Sequence, residues 1–274
     1  MPNLLDDLNE KQREAVLSPH AHRLILAGAG SGKTRVLVQR MTWLMAEQNI
    51  SPYGILAVTF TNKAAQEMRS RIEAARGLPV SGMWIGTFHG LAHRLLRLHW
   101  QEAKLSQDFQ ILDADDQLRL VKRVIRSLEI DENKFPPKQA QWFINQCKEQ
   151  GKRPNKVATG DYFADTMQRV YSTYETLCSR SGLVDFSELL FRSLELLEQN
   201  PNLQSHYQER FLHILVDEFQ DTNTIQYRWL CLLCGDNTAV MAVGDDDQSI
   251  YSWRGAKIEN MQRFTNEFSG CETI

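Results

Sequence analysis

The residues best suited to chemistry are a lysine and a threonine, Lys33 and Thr34, that end a glycine-rich stretch at residues 27–32. An apolar run at residues 24–26 precedes it, and apolar side chains at helical spacing follow at residues 36–44. The order is therefore strand, glycine-rich loop and helix, where backbone N–H groups and the helix dipole bind a polyphosphate. Lys33 would reach the outer phosphates and the Thr34 hydroxyl would bind Mg²⁺. The predicted nucleotide-binding residues of this loop are Ala27, Gly28, Ala29, Gly30, Ser31, Gly32, Lys33 and Thr34.

Two acidic residues, Asp217 and Glu218, follow an apolar strand pattern at residues 211–216. A carboxylate at the end of a buried strand beside a phosphate-binding loop can hold Mg²⁺, and a following glutamate can orient and deprotonate the attacking water. In isolation such an acidic turn would be interpreted as a solvated loop. Because the same chain carries the phosphate-binding loop, we predict that Asp217 is a metal ligand and Glu218 a catalytic base.

A third strand pattern, at residues 239–243, leads into the segment 244–256, which is rich in polar and aromatic side chains. The neutral amide of Gln248 could sense the γ-phosphate and lose a hydrogen bond when it departs. Tyr251, Trp253 and Arg254 supply flat surfaces and a cation, and such groups stack unpaired bases for about 1–3 kcal/mol per base. Without the nucleotide site, core packing would explain these aromatic residues equally well.

The spacing of apolar residues predicts how these segments are held. Helix and strand patterns alternate over residues 1–87, only helical periods occur from 88 to 208, and strands return from 211. Alternation indicates an α/β fold with a parallel sheet and helices on both faces, here interrupted by an all-helical insertion. Within the insertion, Asp185 is predicted to be a helix N-cap, and the polar segment 148–156 a mobile loop.

Composition limits the possible classes. The chain has 274 residues, 42% hydrophobic and 24% charged, with a net charge of −3, as expected for one or two globular domains. Because the overall field does not attract a polyanion, nucleic-acid binding would need local patches. Five scattered cysteines indicate a reducing compartment, and neither a secretory segment nor an 18-residue apolar stretch is present. A cytoplasmic protein without a membrane segment is expected.

Six motifs, in order, resemble those of the superfamily 1 DNA helicases of the UvrD/Rep/PcrA type. They lie at residues 8–12, 27–35, 58–65, 86–90, 217–221 and 244–256. Two positions depart from the pattern: Ala27 stands where the strict loop has glycine, and Ser252 where close relatives have glycine. The resemblance implies a RecA-like P-loop domain 1A at residues 1–89 and 211–274, a helical domain 1B at 90–210, and a second RecA-like lobe that this chain lacks.

The resemblance also implies roles for individual residues. At the nucleotide, Gln12 would bind the adenine edge and Arg35 and Arg71 the phosphates, while Lys33, Asp217, Glu218 and Gln248 would be catalytic. The DNA-binding set would be Phe60, Thr61, Asn62, Lys63, Thr87, Phe88, His89, Tyr251, Trp253 and Arg254. Plainer interpretations exist, with Phe60 and His89 as core residues and Lys63 and Arg71 as solvated charges. His93, Arg94, Arg97 and His99 would form a phosphate-binding stripe or a solvated helix face.

The function implied for the parent protein is an ATP-dependent 3′–5′ DNA helicase of DNA repair. Its cofactors would be ATP and Mg²⁺, and its partners single-stranded DNA, single-strand/duplex junctions and proteins of excision and mismatch repair. This chain would hold half of the motor, binding ATP and DNA without unwinding. The alternatives are a nucleotide- and DNA-binding fragment without turnover, the motor part of a helicase-nuclease subunit, and a P-loop kinase for a small molecule.

Overall fold

The computed structural model describes residues 5–28, 30–77, 80, 82–245 and 258–274. The chain divides into two compact units, unit 1 comprising Met1–Leu91 and Asn200–Ile274, and unit 2 comprising Ala92–Gln199. Residues 200–210, which the sequence grouped with the insertion, thus belong to unit 1. The reason is aromatic packing, because Tyr207 and Phe211 both contact the buried ring of Trp84, at centroid distances of 5.5 and 5.6 Å. Across the described ranges, every helix is too short or too polar to cross a bilayer.

Unit 1 is built on a parallel sheet, with elements numbered along the whole chain. Its strands are β1 (Arg23–Leu26), β2 (Ile55–Thr59), β3 (Trp84–Thr87), β6 (His213–Val216), β7 (Ala239–Gly244) and β8 (Glu272–Thr273). Its helices are α1 (Glu10–Leu17), α2 (Lys33–Ala46), α3 (Asn62–Arg76), α9 (Pro201–Arg210), α10 (Thr224–Leu233) and α11 (Ile258–Glu267), while α4 (Phe88–Leu98) contains the boundary between the units.

The strand order is β3-β2-β6-β7-β1-β8, with every neighbouring pair parallel. Pairing of β2 with β6 joins the chain segments on either side of unit 2 into one sheet, so the predicted α/β fold with a parallel sheet is confirmed. One detail differs from expectation, because β7 lies between β6 and the P-loop strand β1. Since parallel strands end at the same edge, the loops after β1, β2, β3, β6 and β7 share one rim of the sheet.

Unit 1 closes around a core of aliphatic side chains. Strands β2, β6 and β7 are buried throughout, as expected for parallel strands covered on both faces. Helix α1 begins with a capping box, in which Asn9 accepts from the N–H of Gln12 and the Gln12 side chain accepts from the N–H of Asn9. This arrangement holds the Gln12 side chain at the start of its helix.

Unit 2 is mainly helical but contains two strands, which corrects the expectation of an all-helical insertion. Its helices are α5 (Ala114–Ser127), α6 (Pro137–Glu149), α7 (Tyr162–Ser181) and α8 (Phe186–Gln199). The strands β4 (Gln110–Leu112) and β5 (Leu183–Asp185) pair in parallel. Each has three residues, too few for an alternating pattern to stand out in sequence.

An ionic cluster is buried in unit 2. The ammonium group of Lys148 lies 2.6 Å from Asp185, 2.7 Å from Glu175 and 3.0 Å from Glu188. Arg153 adds ion pairs with Glu175 at 2.6 Å and with Glu188 at 2.8 Å. The segment predicted to be a mobile loop therefore begins inside α6 and is tied down by two cations. Asp185 caps α8 as predicted, its Oδ1 accepting from the N–H of Glu188 at 2.8 Å.

In the possible phosphate-binding stripe, Arg97 has partners within the protein. The guanidinium of Arg97 lies over the Phe109 ring, 3.7 Å from its centroid. It donates to the carbonyl oxygens of Gln107 at 3.1 Å and Phe109 at 2.7 Å. Burial lowers the pKa of the neighbouring His93, and the charge of Arg97 lowers it further. Arg97 thus stabilises the segment that leads into β4. These contacts do not support a role for Arg97 as a phosphate ligand.

Candidate nucleotide site

The glycine-rich loop joins β1 to α2. Gly30 and Gly32 have φ values of 74° and 84°, in the left-handed region where a side chain is strained. A Cβ on Gly32 would also lie 3.1 Å from the Nε2 atom of Gln12. Ala29, part of the predicted loop, lies outside the described residues. The left-handed turn at Gly32 starts α2 at Lys33 and leaves the first N–H groups of the helix for an anion.

Lys33 is held inside the loop, with 8% of its surface exposed. Its ammonium group donates to the carbonyl oxygens of Ala27 at 2.8 Å and Gly28 at 3.3 Å, and pairs with Asp245 Oδ2 at 3.3 Å. Sequence reasoning placed Asp245 in a motif but gave it no role of its own. The strand order supplies the missing link, because Asp245 follows β7 and β7 is the neighbour of β1.

Thr34 and Asp217 meet as predicted, with the Thr34 hydroxyl donating to Asp217 Oδ2 at 3.1 Å. Burial raises the pKa of Asp217 to about 6, and the charge of Glu218 adds to this effect. The two oxygens are of the kind that Mg²⁺ prefers, so the donor set fits the metal, which would stabilise the ionised carboxylate.

Glu218 adopts a left-handed conformation, with φ of 49°. Its N–H donates to Asp217 Oδ1 at 3.1 Å, and its Oε2 accepts from the amide of Gln220 at 2.7 Å. A cleft of about 470 Å³ opens here, large enough for a polyphosphate with its water. Its lining is formed by Gly30, Gly32, Lys33, Thr34, Arg35, Glu67, Arg71 and Glu218.

The remaining nucleotide-site candidates carry protein partners. Arg71 is paired with Glu67, and Arg35 lies 3.3 Å from Asp7; both arginines line the cleft. Gln12 instead lines a second cavity of about 190 Å³ and donates to the carbonyl of Ser31 at 2.8 Å. Arginines that are about 40% exposed exchange such carboxylates for phosphate at little cost.

Within the part of the chain that the structure describes, the predicted DNA-binding residues lie at the ends of β2 and β3. Phe60 packs edge-on against Phe88, with centroids 5.5 Å apart. Thr61 caps α3 by accepting from the N–H of Ala64 at 3.1 Å. The next two residues of α3, Asn62 and Lys63, are exposed. Phe60 is half-buried, whereas the side chain of Lys63 faces solvent.

The residues after β3 need one correction. Phe88 was expected to line a DNA channel, but its ring is buried and contacts Trp229 at 6.2 Å, so it is a core residue that supports Phe60. Thr87 accepts from the N–H of Gly90 at 3.1 Å. Burial lowers the pKa of His89 to about 4, so that side chain is neutral at pH 7 and offers hydrogen bonds rather than charge. The candidates Gln248, Tyr251, Trp253 and Arg254 lie outside the described residues.

Comparison with known proteins identifies the family of the chain. The family described as the UvrD/REP helicase N-terminal domain matches residues 8–269, which is nearly the whole chain. The chain belongs to this family. As a UvrD/REP helicase N-terminal domain, it carries the P-loop lysine, the acidic strand end and the cleft in one unit.

Individual relatives agree with the family assignment. The chain is 61% identical over 272 residues to DNA helicase II of Escherichia coli K12 and 60% identical to that of Salmonella typhimurium. It is 40% identical over 277 residues to the ATP-dependent DNA helicase PcrA of Staphylococcus aureus. These matches cover 99–100% of the chain but 38% of each relative. The chain therefore spans less than half the length of the relatives.

Proposed function

We propose that this chain is the ATP-binding N-terminal part of an ATP-dependent 3′–5′ DNA helicase that acts in DNA repair. Unit 1 would be domain 1A and unit 2 the inserted domain 1B. The observation that carries the proposal is that Lys33, Thr34 and Glu218 line one cleft and that Asp217 accepts a hydrogen bond from Thr34. The two segments that supply these residues are more than 180 positions apart. Sequence similarity to DNA helicase II and PcrA supports the class of reaction.

In the proposed reaction, Lys33 exchanges the carbonyl oxygens of Ala27 and Gly28 for the outer phosphates of ATP. Thr34 and Asp217 would hold Mg²⁺, which neutralises charge on the phosphates when bound. Glu218 takes a proton from water, whose oxygen bonds to the γ-phosphorus while the bond to the ADP oxygen breaks. Gln12, Arg35 and Arg71 would orient the adenine and the phosphates, and Gln248 would sense the γ-phosphate.

DNA would pass over the rim formed by the ends of the sheet strands. Phe60, Thr61, Asn62, Lys63, Thr87 and His89 would contact the strand from the β2 and β3 side. Tyr251, Trp253 and Arg254 would stack on its bases. Opening duplex DNA costs about 1.4 kcal/mol per base-pair step, so unwinding at a single-strand/duplex junction requires the free energy of ATP.

The part of the relatives that this chain does not span would contain a second RecA-like lobe. In such motors, arginines from a partner surface stabilise the transition state, and their loss costs about 10³–10⁵-fold in turnover. We therefore expect the 274-residue chain to bind ATP and single-stranded DNA weakly and to show negligible DNA-stimulated hydrolysis.

Titration with a fluorescent ATP analogue tests this proposal. The wild-type chain should bind in the presence of Mg²⁺, and Lys33→Ala should abolish binding. Failure of the wild-type chain to bind any adenine nucleotide would refute the nucleotide site. A robust steady-state ATPase rate that disappears in Lys33→Ala would refute the half-motor interpretation and leave the site intact.

A further inference from the structure

Gln220 is a buried polar residue for which the reaction above has no use. It lies in a 3₁₀ helix at Phe219–Asp221, directly after the acidic strand end, and is 3% exposed. Burying an amide requires hydrogen-bond partners at both of its ends. Gln220 has them, and they belong to two different strand ends of the sheet.

The orientation of the amide follows from the chemistry of its partners. Gln220 Oε1 lies 3.1 Å from the backbone nitrogen of Asp245, and Nε2 lies 2.7 Å from Glu218 Oε2. A backbone N–H can only donate and an ionised carboxylate can only accept. The amide therefore has a single orientation that satisfies both partners, with its oxygen on the β7 end and its nitrogen on Glu218.

The β7 end is shaped to admit this amide. A Cβ on Gly244 would lie 2.9 Å from Gln220 Oε1 and 2.7 Å from the terminal methyl of Met261. Because real Cβ contacts are not that short, any side chain at Gly244 would displace the amide or its neighbour. The absence of a side chain at Gly244 thus allows Gln220 to approach the β7 end closely. This steric observation is independent of the hydrogen bonds of Gln220.

We propose that Gln220 is a positioning residue, which fixes the carboxylate of Glu218 by anchoring it to the backbone of the β7 end. The inference rests on the proposed role of Glu218 as the base. A glutamate side chain at a cleft has several accessible rotamers, and one strong hydrogen bond to a buried amide selects among them. Oε2 is occupied by the amide, and Oε1, which has no partner among the described residues, is left to accept the proton of water.

The Gln220 side chain also completes a closed ring of interacting residues around the nucleotide site. Each neighbour along it is joined by a hydrogen bond, an ion pair or the chain itself. The members in order are Lys33, Asp245, Gln220, Glu218, Asp217 and Thr34. A displacement of the β7 end at Asp245 is therefore transmitted to Glu218 through one rigid amide.

Single-turnover hydrolysis of labelled ATP, with protein in excess, tests the proposal because it detects rates far below steady-state turnover. Gln220→Met keeps the length of the side chain and removes both hydrogen bonds. We expect its rate to fall about 10²-fold while its ATP affinity stays within about twofold of the wild type. Gln226→Met is the matched control, since Gln226 is a buried amide that caps α10 away from the cleft.

A double-mutant cycle separates positioning from a general structural effect. If Gln220 acts through Glu218, then Gln220→Met in a Glu218→Gln background should slow hydrolysis no further. Gly244→Ala, which crowds the amide without changing it, should lower the rate in the same direction by about tenfold.

The outcomes are distinguishable. A Gln220→Met rate within threefold of the wild type, or a multiplicative loss in the double variant, would overturn the positioning role while leaving Glu218 as the base. A Glu218→Gln variant with an unchanged rate would instead overturn the proposed reaction itself. Equal losses in Gln220→Met and Gln226→Met would assign the effect to stability, which also overturns the proposal.

Discussion

Two buried lysines, one in each unit, show how the same side chain serves opposite purposes. Lys148 in unit 2 is 1% exposed and touches three carboxylates. Lys33 in unit 1 is 8% exposed and has two carbonyl oxygens and the carboxylate of Asp245. The first ammonium is surrounded by fixed anions, whereas the second borders an open cleft of about 470 Å³.

The difference lies in how the cost of desolvation is met. Burial alone would lower the pKa of Lys148, but the charges of Asp185, Glu188 and Glu175 outweigh it and raise the pKa well above its ordinary value. Carbonyl oxygens compensate a buried charge less completely than carboxylates do. A phosphate would therefore stabilise the charge of Lys33 more than that of Lys148. A buried lysine whose charge is incompletely neutralised by the protein, and which borders a cavity, is the better candidate for binding an anion.

The largest effect is expected on removing the lysine of the ionic cluster in unit 2. Lys148→Met would remove a cation from Asp185, Glu175 and Glu188, of which the last two keep Arg153, at a cost of about 3–5 kcal/mol in the free energy of unfolding. Urea unfolding followed by circular dichroism measures this. Lys138→Met, an exposed position on the same helix α6, should change it by less than about 0.5 kcal/mol. A similar small loss for both variants would contradict the view of a locked cluster.

Removal of Lys33 should reduce stability less than removal of Lys148 does, but it should abolish the proposed binding of ATP. For Lys33→Met we expect a loss of about 1–2 kcal/mol, since only one carboxylate loses a partner. Unfolding with saturating ATP and Mg²⁺ sharpens the contrast. The wild type should gain about 2.7 kcal/mol at a ligand concentration 100 times Kd, and the variant should gain nothing. If Lys33→Met were as destabilising as Lys148→Met, the two lysines would share one structural role.

Asp217, the proposed metal ligand, should show the opposite sign, because its replacement is expected to stabilise the chain. Burial first, and then the charge of Glu218, raise the pKa of Asp217 from 3.8 to about 6, so the folded chain binds more protons than the unfolded chain between these values. Stability therefore falls as pH rises from about 4 to 6. Asp217→Asn should remove this slope and stabilise the nucleotide-free chain by about 1–2 kcal/mol at pH 7, while weakening Mg²⁺-dependent ATP binding. Urea titrations at pH 4.5 and pH 7 check the sign, and a destabilised variant would contradict it.

The smallest effect is expected at the rim of the cleft. Arg71 and Glu67 form an ion pair with both side chains 46% exposed, and such pairs contribute about 0–1 kcal/mol. Arg71→Ala should leave the urea midpoint nearly unchanged and lower ATP affinity about tenfold, since the proposed phosphate contact would be lost. A fluorescent-nucleotide titration measures the affinity. Arg169→Ala, a change in unit 2, serves as the control.

Local chemistry was predictable where pattern and length both carried information. The strand at residues 55–59, the turn into α2 and the cap at Asp185 follow from apolar runs, glycines and a capping residue within a few positions. Strands β4, β5 and β8 were missed because two or three residues cannot display a period. The division at Asn200 was missed because the contact of Tyr207 with Trp84 joins residues far apart in the chain.

Within the site, the sequence predicted which residues were needed but not how they are joined. The proximity of Thr34 and Asp217 was expected, since both residues were assigned to one metal, but the hydrogen bond between them was not. The partnership of Lys33 with Asp245 spans 212 positions and depends on β7 lying beside β1, which no local pattern encodes. Gln220 was missed for the same reason, because its hydrogen-bond partners lie at two strand ends that only the folded sheet brings together.

The left-handed backbone of Glu218 has a consequence for the stability of variants at this position. A non-glycine residue held there costs about 1–2 kcal/mol, which glycine would recover. The same replacement would leave the buried Nε2 of Gln220 without its carboxylate partner, at a cost of about 1–3 kcal/mol. Relief of the backbone strain and loss of this hydrogen bond therefore oppose each other, so a Glu218→Gly variant should melt close to the temperature of the wild type.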